Sequence, residues 1–221
     1  MGLSNSIIAI KGDHLDKTAQ IFEIFGYVDR NNDKQYDNWE PTATYLFENY
    51  FDLAHQSIAI RGIWTNNGWT IICDPEMVDT IEDDKICQLS SDLDTPIITF
   101  MVQSTSGSYW FATYDKTKQR HFFAVDGQIA ENIGDPLPEE KGLNINESIF
   151  IDDIINLANK FGVDFEVSDT QTTFTVKELG YSDQMQDELN QATQPTQPDK
   201  RETPSIQVDK EEKAKKPWWK F

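Results

Sequence analysis

The sequence predicts an α+β domain, an antiparallel sheet built from a hairpin plus a β-meander with helices packed on one face, followed by a C-terminal tail outside the fold. Three observations carry this reading. First, the apolar runs SIAIRGIW and WTIIC flank Asn67-Gly68, a dipeptide suited to the positive φ angles of a tight hairpin turn. Second, IITFMVQ, SYWFATYD and RHFFAVD follow one another through STSG and KTKQ, and connectors this short permit only antiparallel neighbours. Third, stretches with apolar residues at helical spacing lie on both sides of these strands.

Taken in order, Ser6 to Ile10 is a short apolar run and reads as a strand. Asp13 then caps a helix to about Phe25, with Leu15, Ala19, Ile21, Phe22 and Phe25 on one face and Gly26 as its stop. Tyr27 to Glu40 is polar and reads as a loop. A second helix follows Pro41, a residue favoured in the first helical turn, with Tyr45, Leu46, Tyr50 and Phe51 facing inward. After the hairpin, a broken helix runs from about Pro75 to Leu93 and Thr95-Pro96 ends it. The meander comes next, and Asp126-Gly127 turns the chain into a fourth strand, QIAEN. The last strong helix carries Ile151, Ile154, Ile155, Ala158 and Phe161 as its stripe and stops at Gly162. TFTVKEL, near Thr173, reads as a final edge strand.

From there the composition changes. The boundaries expected are an acidic domain over 1–178, a Pro/Gln/Thr-rich tether over 179–213 and a basic, aromatic tip over 214–221. The tether has too little apolar surface to offset its ordering entropy and is expected to be disordered. Its tip concentrates Lys215, Lys216, Trp218, Trp219, Lys220 and Phe221. Large aromatics on a tether are adhesive, so the tip is expected to dock on a protein surface.

The chain has 221 residues and a net charge of −19. Acids and bases nearly balance beyond Tyr181, so the negative charge belongs to the body. Such a body repels phosphate backbones, which disfavours nucleic acid and favours a basic protein partner. No segment is long and apolar enough to span a bilayer, and no stable membrane association is expected. Without a signal-like leader the expected location is cytoplasmic, with Cys73 and Cys87 as reduced thiols.

One local pattern suggests a cation. Asp29, Asn31, Asp33, Asp37 and Glu40 fall at positions 1, 3, 5, 9 and 12 of an EF-hand-like calcium loop. Lys34 stands where glycine should make the bend, Tyr36 where an aliphatic residue belongs, and Pro41 disfavours helix at Glu40. A polar Asn/Asp turn explains the same residues. No cofactor is expected. His14, His55 and His121 lie on separate elements, no nucleophile or phosphate-loop motif occurs, and an enzyme is not expected. A hydrolase with an unrecognised site would need a pocket gathering His121, a cysteine and carboxylates.

The hairpin end Gly68-Trp69-Thr70-Ile71-Ile72, the aromatic meander from Tyr109 to Val125 and Gly134-Asp135-Pro136-Leu137-Pro138-Glu139-Glu140 form a recognisable combination. In it, about residues 55–165 resemble a loose group of uncharacterised bacterial α+β proteins, some of which sit beside polymorphic toxins as immunity proteins. The resemblance implies a non-enzymatic immunity protein, and the acidic body is what neutralising a basic toxin would need. Its motifs are structural, so it assigns no functional residue.

Overall fold

The computed structural model describes residues 4–143, 148–165 and 172–192. In chain order the elements are β1 (Ser4–Lys11), a 3-10 turn (Leu15–Lys17), α1 (Thr18–Ile24), β2 (Tyr27–Asp29), β3 (Lys34–Tyr36) and α2 (Trp39–Ala54). Then come β4 (Ile58–Asn66), β5 (Trp69–Asp74), a 3-10 turn (Asp79–Ile81), α3 (Asp83–Leu93), β6 (Ile97–Gln103) and β7 (Ser108–Asp115). The chain continues through β8 (Thr117–Val125), β9 (Gln128–Ile133), a 3-10 turn (Pro138–Glu140), α4 (Ile151–Phe161), β10 (Phe174–Tyr181) and α5 (Asp183–Ala192).

All described strands join one antiparallel sheet in the order β2-β10-β4-β5-β1-β6-β7-β8-β9, with β3 also paired to β10. The expected hairpin is β4–β5, and Asn67 and Gly68 take the positive φ values of 51° and 76° that its turn requires. The expected meander is β6–β7–β8–β9. What joins them is β1, which pairs with β5 on one side and β6 on the other.

Several expectations need correction. Helices cover both faces of the sheet, not one. Ile7 and Ala9 of β1 join a core with Leu46 of α2 and Ile154, Leu157 and Ala158 of α4. Ile8 and Ile10 point the other way, into a core with Ile21 and Phe22 of α1 and Ile86, Leu89 and Leu93 of α3. The reason was present in the sequence: IIAI is continuous rather than alternating, as in strands buried on both faces. The meander aromatics are likewise covered on both faces, Tyr109 and Phe111 in the first core and Trp110 and Tyr114 in the second.

The expected loop 27–40 contains β2 and β3, whose hydrogen bonds come from β10 rather than from each other. For the same reason β10 is not an edge strand, being held between β4 and the β2/β3 pair. It extends to Tyr181 and α5 follows, with Met185 packed on the α1/α3 core. The boundary placed at 178/179 therefore falls inside a strand. The remainder of the expected tether and the tip, from residue 193 onward, lie outside the described residues. Asp13 does not cap α1; its Oδ1 accepts the Leu15 N–H just before it, at the start of the 3-10 turn.

Candidate functional site

The helix α2 places its residues by simple geometry. Thr42 and Leu46 are buried, and Trp39, Tyr45, Phe47, Tyr50 and Leu53 pack partly against the core. Leu46 sits so close to β4 that a Cβ on Gly62 would lie 2.9 Å from its Cδ1, so a larger residue there would require Leu46 to shift. Trp39 packs on Trp64 at 5.3 Å between ring centres and on Phe174 at 5.8 Å, fixing the helix start. Phe51, expected inward, is 62% exposed. Five residues past Leu46 is about 140° around the helix, so Tyr50 turns in and Phe51 turns out.

The outward face is acidic and unneutralised. Glu40, Thr44, Glu48 and Asp52 recur every four residues and form one exposed stripe about 18 Å long. Between Lys34 and Arg61 the sequence contains no lysine or arginine. Among the described residues the carboxylates of Glu40, Glu48 and Asp52 have no ion-pair partner. Lys34, the nearest cation in sequence, is committed elsewhere: its Nζ lies 2.7 Å from Glu178 Oε1 and 4.8 Å from the Tyr45 ring centre. Tyr45 also donates its hydroxyl to Glu178, at 3.1 Å. Beside the stripe, Glu40, Pro41, Thr44, Tyr45 and Glu48 line a shallow depression of about 480 Å³. Phe51 and His55 follow further along the helix, edge to face with ring centres 4.6 Å apart. The face thus offers negative charge, a groove and an exposed ring together.

The five residues of the calcium pattern do not converge. Asp29 and Asp33 do meet, but on the ammonium of Lys177, 2.8 Å from each. Burial works to lower the Lys177 pKa; the hydrogen bonds to Asp29 and Asp33 outweigh it and hold the group above its ordinary value. Burial works to raise Asp29, and the bonds from Lys177 and the Asn31 N–H win and lower it. Asp37 is exposed beyond β3, and Glu40 belongs to the α2 stripe. Among the described residues no group of three or more His, Cys, Asp and Glu is arranged to hold a metal ion.

Two ionic clusters went unforeseen. Arg61, on β4, is fully buried and donates Nε to Asp79 at 2.6 Å, Nη1 to the Ile60 carbonyl and Nη2 to the Tyr27 hydroxyl and Glu76. Asp74, also fully buried, lies 3.3 Å from Nη2 and accepts the backbone N–H groups of Glu76, Val78 and Asp79. Burial, then the nearby Asp79 charge, pushes Asp74 up to about 6, against the downward pull of Arg61. Burial opposes the charge on Arg61, but Asp74 and Asp79 outweigh it and the guanidinium stays protonated. The second cluster is Arg120 of β8, which binds Glu140 at 2.7 Å through both Nε and Nη2 and the Ile133 and His121 carbonyls through Nη1. Both clusters tie a turn onto the sheet, and in the first the second carboxylate oxygen of Glu76, Oε1, is buried without a hydrogen-bond partner among the described residues. The sequence signal was an arginine inside an apolar strand, which cannot stay buried without acids.

Cys73 and His121 lie in different cores: Cys73 belongs to the α2/α4 core, whereas the His121 ring packs 4.3 Å from Trp110 in the α1/α3 core. Burial pushes up the thiol of Cys87, on α3, and Asp83 and Asp84 push the same way against the Lys118 N–H. Burial, then Lys118, lowers the His121 pKa. In each adjacent acid pair, Asp83-Asp84, Glu139-Glu140 and Asp152-Asp153, one member has a structural partner: Asp83 accepts from Tyr114 and Lys118, Glu140 holds Arg120, and Asp153 caps the Phe150 N–H.

Lys215, Lys216, Trp218, Trp219, Lys220 and Phe221 lie outside the described residues. No described helix is long and apolar enough to cross a membrane. Comparison with protein-family models, with curated proteins and with solved structures finds no match to this chain.

Proposed function

We propose that this chain is a non-enzymatic, cytoplasmic binding domain that captures a basic protein on the outward face of α2. The observation that carries the reading is the unpaired stripe of Glu40, Glu48 and Asp52 beside the exposed ring of Phe51. Charged rims accelerate encounter, and an apolar ring at the centre supplies the desolvated anchor that holds the complex. A negative charge of −19 strengthens this steering for any cationic protein. Toxin neutralisation is the specific form favoured: a basic nuclease presents the charge that such a face captures, and an inhibitor must bind it fast.

The test is co-purification of the full chain with the products of its flanking genes, then stopped-flow kinetics on the one that binds. The expected partner is basic. Its association rate falls steeply between about 50 and 300 mM salt and falls at low salt in Glu40→Lys/Glu48→Lys/Asp52→Lys. A salt-independent rate, or unchanged binding by the folded variant, refutes the reading.

A further inference from the structure

We propose that the chain carries its own competitor for this face: the segment Lys215–Phe221 docks on α2 in cis and is displaced by the partner. The inference rests on the α2 face being the binding face. It adds the identity of a resident occupant and the chemistry a partner must share, lysines flanking an aromatic anchor.

Complementarity is the first argument. Lys215, Lys216 and Lys220 flank Trp218, Trp219 and Phe221 within seven residues. The α2 face repeats that arrangement with the charges inverted, Glu40, Glu48 and Asp52 around Pro41, Tyr45 and Phe51. The other helical face is acidic too, but its acids are interrupted by bases: Lys85 lies 3.4 Å from Glu82, Lys116 2.7 Å from Asp94 and Lys118 2.6 Å from Asp83.

Reach is the second argument. The last described residue, Ala192, ends α5, and Lys215 follows after about 22 residues, a span of up to about 70 Å when extended. A domain of this size is about 40 Å across. The path is also short. Helix α5 leaves from Tyr181, at the sheet end where β10 pairs with β2. The C-terminal end of α2 lies toward the same end, because the turn after it enters β4 at Ile58, which pairs with Gly180 of β10, whereas the start of α2 packs on Phe174. The tether has to round only the β2/β3 edge. Tethering raises the local concentration of the tip far above that of free cationic proteins, so a weak contact suffices to keep non-cognate ones off.

The experiment uses the full chain with Cys87→Ser and Ala214→Cys beside the tip. A second cysteine replaces either Thr44, on α2, or Gln88, on α3. Intramolecular disulfide formation is followed in dilute protein, each rate divided by that of the same position with a small disulfide. Gln88 is the stricter control because α3 is close to the tail's origin: Lys85 and Met185 line one cavity. A tip without preference therefore favours position 88.

The expected result is a normalised rate at least about tenfold higher at position 44 than at 88. That preference should vanish in Trp218→Ala/Trp219→Ala and at high salt. Comparable rates, a preference that survives the tryptophan variant, or predominantly intermolecular disulfides would each overturn the inference, the last by making a second copy the occupant. Partner titration of the tryptophan variant separates the two readings. Tight α2-dependent binding without cis cross-linking leaves the function standing and removes only the competitor.

Discussion

Replacing Arg61 with methionine removes the cation from a site that holds Asp74, Asp79 and Glu76. The methionine fills much of the arginine stem's volume, so the loss is electrostatic more than steric. Asp74 keeps its three backbone N–H donors, but Asp79 loses the 2.6 Å bond from Nε and Glu76 loses its bond from Nη2. Breaking a buried pair from one side costs about 3–5 kcal/mol, because the orphaned charge stays desolvated. For a domain of this size that is a fall of roughly 6–20 °C in Tm. The pH dependence separates this mechanism from simple loss of packing. Arg61 is what pulls Asp74 down from the value burial would give it, so in the variant Asp74 titrates above about 6. A carboxyl whose folded pKa exceeds its unfolded value takes up a proton on folding, so stability grows as the pH falls through that window. Urea denaturation of both proteins at about pH 7.5 and about pH 5.5 should show the deficit shrinking by at least about 1 kcal/mol at the lower pH. A deficit below about 1 kcal/mol at pH 7.5, or one independent of pH, refutes the reasoning. Lys116→Ala, which breaks an exposed pair, should leave stability unchanged.

Glu140→Ala should cost about 3–5 kcal/mol by stranding the Arg120 guanidinium, and should speed proteolysis near residues 134–143, read by urea denaturation and mass spectrometry. The wild-type Tm should rise as the pH falls from about 8 to about 5.5, because Asp74 is raised. It should fall again below about pH 4 as Asp29 and Glu178, both held below their ordinary values by their partners, take up protons. Cys73, whose thiol burial pushes up, should resist iodoacetamide until the chain unfolds, whereas Cys87 should react slowly in the native state. Millimolar calcium or its chelation should leave Tm and tryptophan emission unchanged, since Lys177 already bridges Asp29 and Asp33; a saturable emission change lost in Glu40→Gln would contradict this.

The parts of the fold legible in the sequence were those written locally. Asn67-Gly68 and the short meander connectors encode turns, and turn chemistry fixes the neighbours on either side. The position of β1 was not legible, because pairing to both β5 and β6 joins residues far apart in sequence. β2 and β3 were missed because three residues show no periodicity, and β10 alone makes them strands. The Arg61 cluster has the same non-local character: its acids sit at the end of β5 and in the turn after it, and only the folded sheet brings Tyr27 to them. The α2 stripe was half legible. Its spacing is in the sequence, but placing Phe51 inward concealed the ring that makes the stripe a surface for docking.

The most direct test of the central claim compares two charge reversals of equal size on different faces. One variant is Glu40→Lys/Glu48→Lys/Asp52→Lys on α2. The other is Asp84→Lys/Asp92→Lys/Asp187→Lys, on α3 and α5, where all three side chains are exposed. Both change the net charge equally, so the general field falls alike in each. Affinity for the basic partner, measured by calorimetry at fixed salt, should fall at least about a hundredfold in the α2 variant and only a few-fold in the other. Equal losses in the two variants would mean that charge alone recruits the partner and that the α2 face is not its site.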